Sequence, residues 1–465
     1  MTNTLFLPEL REMLAESDAA GLAEFCTTLH PARTAEFMEG LTPEEAWAVL
    51  QHADDATRAE IYHYFELAKQ IAMIETLDRT AMAGLIGHLA PDERVDILKE
   101  VNPTVVEELL PLVPALERRD IQRLTAYPEG TAGAVMTTSF ARLSEKSSAR
   151  QAIDDLARQA ANLETIYYLY VVDEEDHLRG VVSARQLVSA MAKPDTPVGE
   201  LMERSVVSVQ VADDQEDVAE VVAKYDLLAV PVVDQERRLV GIVTHDDVLD
   251  VMREEAIEDV HMLAGIAPLE HSYLDTSLVT LAWKRGMWLT VLFLAGLLTA
   301  LALQTYEEAR MTWPWLAIFI PLIVSTGGNS GSQSATLIIT ALTAGHVSSR
   351  DWLRVAVREI LSGVMLGGLL ALIGYGVAML ILNQEVSHGT QVPNPTTAAI
   401  VVPVTLVLVV ICGTLVGAML PLLFHRVGLD PALMSTPFVS GIIDIVGIVL
   451  YMNVALRLLV VIAGG

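Results

Sequence analysis

The chain has 465 residues, too many for one ordinary core and enough for about three domains. Its formal charge is −29 and unevenly placed: from Ser277 onward eight Lys and Arg stand against seven Asp and Glu, which leaves 22 against 52 before it and a net charge of about −30 there. Such a deficit excludes nucleic acid and anionic substrates as partners and suits cations where the carboxylates cluster, although a salt-adapted, solvated surface would carry the same charge.

The first residues, MTNTLFLPELREML, lack a basic segment followed by an apolar run, so no cleavable signal is expected and the N-terminus is expected in the cytoplasm. Residues 6–126 read as short helices, with apolar positions recurring at three and four and turns marked by proline. A helical superhelix over residues 1–130 is the expectation. Cys26 lies in this stretch and Cys412 in a distant apolar one, without metal-type spacing, and the histidines, His261 included, are scattered.

After YPEGTAGAVMT (127–137) the period changes and an internal repeat begins. YVVDEEDHLRGVVSARQLV (170–188) aligns without gaps on PVVDQERRLVGIVTHDDVL (231–249), each copy reading as a strand, a charged turn, a glycine-led strand and a helix opened by Ser183 or Thr244. Two α/β domains are expected, over 131–198 and 199–252. The second copy runs on into THDDVLDVMREEAIEDVHMLAG, helical as far as Leu263 with Gly265 as a stop, a connecting segment placed at 253–275. On it Asp247, Asp250, Glu254, Glu255, Glu258 and Asp259 recur at three and four, stacking like charges that cost a few tenths of a kcal/mol per pair when bare. Mg²⁺ or Ca²⁺ would relieve that repulsion, since carboxylates are the hard ligands both prefer; a solvated acidic face is the other reading.

Residues 276–465 form the membrane part. A hydrocarbon core of about 30 Å needs about 20 apolar residues, and five stretches qualify: 287–303, 313–326, 360–382, 398–424 and 438–463. With five spans, Lys284, Arg285, Arg350, Arg354, Arg358 and Arg426 fall on one side and Arg310 and Arg457 on the other, which makes the first side cytoplasmic and puts the C-terminus outside. The shortest stretch runs into GGNSGSQSAT (327–336), whose hydroxyls and amides could face water or a hydrated ion, or whose glycines could form a helix-packing seam. Asp444 stands deep in the last stretch with no Lys or Arg in another span placed to pair with it, so it must face water, a partner or an ion, or serve as a protonated structural acid. Asp430-Pro431 reads as an N-cap and first-turn proline that start that span.

These motifs carry two resemblances. The internal repeat resembles the cystathionine β-synthase (CBS) domain pair, which implies an adenine nucleotide such as ATP between the copies, with Arg185, Thr244 and Asp247 as candidate contacts and Gln186 where the first copy's Asp is typical. LHPA…PEE, YPEGTAGAVMT, ETIYYLYVVDE, DQEDVAEVVAKYD, VGIVTHDDVLDV, EEAIED, GGNSGSQSATLII, GAMLPLLF and DPALMSTPFVSGIIDIVG, in that order along nearly the whole chain, resemble the MgtE family of Mg²⁺ channels and transporters. The resemblance implies a multidomain membrane protein: an all-α N domain, an α/β CBS pair, a plug helix and a five-helix transmembrane domain, assembled as a homodimer in the cell membrane. It places a pore Mg²⁺ at Asp444, with Gly328, Asn329, Gln333, Thr336 and Thr436 lining the pore. It makes Asp214, Glu216, Asp226, Asp247, Asp250, Glu255, Glu258, Asp259, Glu60 and Asp92 the cytosolic Mg²⁺ sensor. Thr436, Ser332, Ile443 and Val446 depart from the family's pattern, which bears on preference among Mg²⁺, Mn²⁺ and Co²⁺. The function implied is Mg²⁺ uptake closed by cytosolic Mg²⁺; a proton- or sodium-coupled divalent cation exporter is the alternative. No paired nucleophile and base, phosphate-binding loop or His/Cys ligand signature points to an enzyme.

Overall fold

The structure, a computed structural model, describes residues 5–160, 163–269, 273–274, 276–388, 392 and 394–463, with the side chains of 460–463 left out. The first four residues of the N-terminal reading, residues 270–272 and 275 of the connecting segment and the C-terminal pair 464–465 lie outside the described residues. The chain divides into two compact units, Met1–Arg253 and Glu254–Gly465, and the division falls inside the helix His245–Leu263.

In the first unit, residues 7–124 fold into short α-helices of seven to ten residues. Their ends are dictated locally. Proline opens Pro31–Met38, Pro43–Leu50, Pro91–Glu100 and Pro103–Leu109, where its missing N–H costs nothing. Asp18, Asp54 and Asp78 each accept a first-turn N–H, and Thr42 with Glu45 forms a reciprocal capping box. Helices this short are held by packing rather than propensity. Their inward faces, among them Leu10, Leu22, Met38, Tyr62, Met73 and Ile86, share one core with Val218, Val222, Val230 and Val243 of the second repeat.

The repeat builds two three-stranded sheets of the same topology. Strands β1 (Phe140–Ser144), β2 (Thr165–Val172) and β3 (Leu178–Ser183) lie in the order β1-β2-β3, and β4 (Val209–Gln210), β5 (Ala229–Val233) and β6 (Leu239–Thr244) in the order β4-β5-β6. The first pair in each is parallel and the second antiparallel. The gapless alignment survives to the backbone: Asp176 and Arg237 occupy the same turn with φ 65° in both. Across a local two-fold, Leu178 N–H donates to Arg237 O at 3.0 Å and Leu239 N–H to Asp176 O at 2.9 Å. Phe140, Tyr170 and Leu178 of one copy pack there on Ala229, Val233 and Ile242 of the other.

In the second unit, among the described residues, four helical segments are long and apolar enough to cross a membrane: Leu278–Thr305, Ser349–Ser387, Pro395–Arg426 and Thr436–Leu459. The second of the five expected spans behaves differently. Its apolar stretch does not end at the polar tract but continues through Pro321 and all its glycines as one helix, Leu316–Thr343, of 28 residues. At 1.5 Å per residue that is roughly 42 Å, ample for a bilayer, yet the tract makes it less apolar than the other four. Asp430 accepts from Ala432 N–H at 2.8 Å and starts a 3₁₀ turn, Pro431–Leu433; the last helix begins only at Thr436.

The helix Leu316–Thr343 is held by its backbone. A Cβ on Gly413 of the helix Val401–Arg426 would lie 2.8 Å from Gly327 O, and one on Gly417 would overlap Gly331 O. The two helices therefore touch main chain to main chain, an approach only glycine permits. Farther along, Trp315, Phe319 and Ile323 pack against Val402, Leu406, Tyr451 and Met452, and Tyr451 O–H donates to Leu316 O at 3.0 Å. Gly417→Ala should force the helices apart, costing about 1–3 kcal/mol or more. The check is the thermal midpoint and monodispersity of purified protein: both should fall for Gly417→Ala and hold for Gly376→Ala, where a Cβ meets nothing within 4 Å.

Candidate functional site

The glycine-rich helix has two faces. Gly327, Gly331, Ser334, Ala335 and Ile338 are buried in the bundle, whereas Asn329, Ser332, Gln333 and Thr336, spaced three and four apart, line an open groove of about 700 Å³. The other wall is the start of the last helix, Thr436, Pro437 and Ser440. Two bonds tie its rim: Ser332 Oγ donates to Thr436 O at 3.0 Å, and Thr436 Oγ1 donates to Leu263 O, at the end of the connecting helix, at 3.1 Å. Asp444, half-buried, stands one turn beyond Ser440. A Cβ at Gly328 would overlap Ser440 Oγ and come within 3.2 Å of Asp444 Oδ1, so the missing side chain leaves room for both.

The structure thus brings Asn329, Gln333, Thr336 and Thr436 to one groove and sets Gly328 against Asp444. Ser440 and Pro437 were not anticipated, although Ser440 lies four residues and Thr436 eight before Asp444, the spacing of one helix face. Ile443 does not crowd the acid: it is buried with Ala335 and Val439 on the packed side.

The acidic residues of the connecting helix gather a partner that had read only as a cap. Asp259 is pushed up to about 6, chiefly by burial and then by Asp430, Glu255 and Glu258. Glu258 is raised by burial, Glu255 and Asp430. Nearby, the buried His261 Nδ1 has no hydrogen-bond partner.

In the first unit a second group forms. Asp92 is 8 % exposed and its Oδ1 is unpartnered; burial, then Asp247, Glu164 and Glu93, raise its carboxyl well above the usual range. Burial also lifts Glu164 to about 7, with Glu93, Asp247 and Asp246 adding to it. Asp247 is pushed up to about 6 by burial, against the bonds it accepts from the Thr244 hydroxyl and N–H. His63 Nδ1 meets Glu93 Oε1 at 2.8 Å, and that bond raises the imidazole, helped by Glu93, Asp250 and Asp247 charge. Glu93, Glu164 and His63 were not singled out in the sequence.

Other expected sensor residues are not brought together within the chain. Asp214 caps the helix Gln215–Tyr225, accepting from Glu216 N–H at 2.9 Å, while Asp226 ends that helix with φ 51°, roughly 16 Å away along the axis. Glu60 is exposed on the helix Asp55–His63. Arg185 lies within the capping box that Gln186 forms with Ser183, and Gln186 does locally what Asp247 does for Thr244. Among the described residues no three His, Cys, Asp or Glu are grouped closely enough to hold a metal ion by themselves.

Comparison with known proteins decides the family. Residues 320–454 match the divalent cation transporter family MgtE, residues 29–130 its intracellular N domain, and residues 132–193 and 198–254 CBS domains. The chain is 37% identical over 453 residues to the magnesium transporter MgtE of Thermus thermophilus, covering 97% of this chain and 98% of that one. It belongs to the MgtE family. The MgtE of Enterococcus faecalis is 35% identical over 339 residues, covering 73% of this chain and 71% of the relative. The solved soluble part of a magnesium transporter superposes with a TM-score of 0.51 at 33% identity, covering 54% of this chain and 97% of that structure. This MgtE protein is accordingly a membrane transporter with a soluble N-domain and CBS part, and not an enzyme.

The crowded carboxylates set a pH dependence. Asp92, Asp247 and Glu164 hold their protons to higher pH when folded than when unfolded, and so does His63. Rising pH therefore removes stability through the window from about 4 to about 7. Without divalent cations the melting temperature of the purified protein should fall by a few degrees, roughly, between about pH 5 and about pH 8. Mg²⁺ should restore more at the higher pH, and scanning calorimetry at both pH values checks it.

Proposed function

We propose that this MgtE protein is a Mg²⁺-selective channel that admits Mg²⁺ to the cytoplasm and closes when cytosolic Mg²⁺ is high. The observation that carries the reading is the groove, lined by hydroxyls and amides of two helices, with the Asp444 carboxylate one turn beyond Ser440 of its wall and facing Gly328. Mg²⁺ sheds water reluctantly, so a wide polar passage with a single charge can recognise the hydrated ion without stripping it. The groove is open along one side, and a second copy of the chain would supply the facing wall; the protein is proposed to act as a homodimer. The soluble part would lie in the cytoplasm, on the side of Lys284, Arg285, Arg350, Arg354, Arg358 and Arg426.

Closure is assigned to the acidic groups. Asp92 with Asp247, and Glu255, Glu258 and Asp259 with Asp430, carry raised or mutually repelling carboxyls that a divalent cation would relieve. Since the described residues group no three such ligands, the ions would bridge pairs through water or between copies. The bond from Thr436 to Leu263 O supports a direct link from the connecting helix to the groove. Asp214, Glu216, Asp226, Asp250 and Glu60 are proposed to join the sensor, and Arg185, Thr244 and Asp247 to meet an adenine nucleotide at the CBS pair.

In proteoliposomes Asp444→Ala should abolish Mg²⁺ flux while the protein stays folded and dimeric; retained flux would remove Asp444 from the pathway. In excised patches, wild-type conductance should fall as internal Mg²⁺ rises from micromolar to millimolar. Conductance indifferent to internal Mg²⁺ would end the sensor assignment.

A further inference from the structure

A second acidic side chain reaches the membrane bundle without a part in the pathway above. Glu359 lies near the start of the helix Trp352–Ser387, and its Oε2 accepts a hydrogen bond from Ser334 Oγ at 2.7 Å. Its main-chain oxygen accepts a second, from Thr414 Oγ1 at 3.1 Å. Ser334 is 5% exposed and Thr414 2%, so the donors of these bonds joining three helices are buried, while Glu359 itself is partly exposed. A Cβ on Gly363, one turn on, would lie 2.9 Å from Ile411 Cα, so the carboxylate's own helix packs closely on the helix Val401–Arg426 there.

Ser334 sits on the packed face of the glycine-rich helix, next in sequence to Gln333, which lines the groove, as does Thr336 half a turn later. Around Gly327, Gly328 and Gly331 that helix has few side chains to key its local rotation, its bulky packed residues lying toward the two ends at Phe319 and Ile323 and at Ile338 and Leu342. A directional bond does so where bulk cannot. We propose that Glu359 is a positioning residue for ion passage: by holding Ser334 it fixes the rotation of the glycine-rich helix and keeps Asn329, Ser332, Gln333 and Thr336 turned to the groove. Glu359 touches no ion in this account. Its role rests on the groove being the pathway.

The test uses full-length protein in liposomes, with Mg²⁺ flux measured against Mg²⁺ concentration for Glu359→Gln, Glu359→Ala, Ser334→Ala and Gln333→Ala. Glu359→Gln keeps an acceptor for the serine and should stay close to wild type. Ser334→Ala and Glu359→Ala should each raise the half-saturating Mg²⁺ by about tenfold with much less change in maximal flux, and combining them should add little. Glu359→Gln as impaired as Glu359→Ala would overturn the proposal, because charge rather than the bond would then matter. So would wild-type behaviour of Ser334→Ala. Gln333→Ala separates the two levels: if it leaves flux and half-saturation unchanged, the groove itself is not the pathway, whereas an effect there with none from Ser334→Ala sinks only the role of Glu359.

Discussion

A helix that carries Asn, Gln and eight hydroxyls cannot lie among apolar helices unless its backbone comes close to a neighbour on one side and its side chains find water or partners on the other. The contact of Gly327 and Gly331 with Gly413 and Gly417 meets the first condition. With no side chains between them, the two helices gain dispersion and weak C–H to carbonyl contacts along a flat seam. Two serines stay on the packed side of Leu316–Thr343: Ser334, which finds a carboxylate, and Ser330, whose buried hydroxyl has no partner among the described residues. The two readings of GGNSGSQSAT, a packing seam and a polar lining, are therefore both correct, on different faces of one helix.

The acidic excess of the soluble part is likewise not a uniform coat. Many of its carboxylates are spent on local structure: Asp18, Asp54, Asp78 and Asp214 cap helices, and Glu45 pairs with Arg11 at 3.0 Å. What remains unusual is the small number that crowd one another, the buried Asp92 with Asp247 and Glu164 in one place and, at the membrane part, the half-buried Asp259 with Asp430 in another. Burying acids together opposes folding unless protons or cations accompany them. A protein that keeps such groups gains a dependence on the cation concentration around it.

Much of this was legible in the sequence because the determining rules are local. The repeat is legible in the sequence, with its charged turn, the two strands that flank it and its helix starts at Ser183 and Thr244; the third strand of each sheet, β1 and β4, lies outside the aligned repeat and was not read. The helix His245–Leu263 ends before Gly265, whose φ of 72° explains the stop. Asn329, Gln333 and Thr336 could be assigned to one surface by helical spacing. What escaped depended on distant partners. Asp430 satisfied a capping rule and so concealed its proximity to Asp259 and Glu258. Glu359 stood at the border of an apolar stretch, where an acid draws no notice until Ser334 is found against it. The continuity of Leu316–Thr343 was hidden because eight consecutive small polar residues and glycines, Ser325 to Ser332, weaken a hydropathy signal without breaking a helix packed along one face.

The central claim is that one face of the glycine-rich helix meets water while the other is sealed. It is tested most directly by placing single cysteines at Asn329, Gln333, Thr336, Ser334 and Ile338 in protein lacking Cys26 and Cys412, and measuring their reaction with a small hydrophilic thiol reagent in liposomes. Cysteines at 329, 333 and 336 should react and those at 334 and 338 should not. Equal reactivity around the helix, or reaction confined to 334 and 338, would contradict the account.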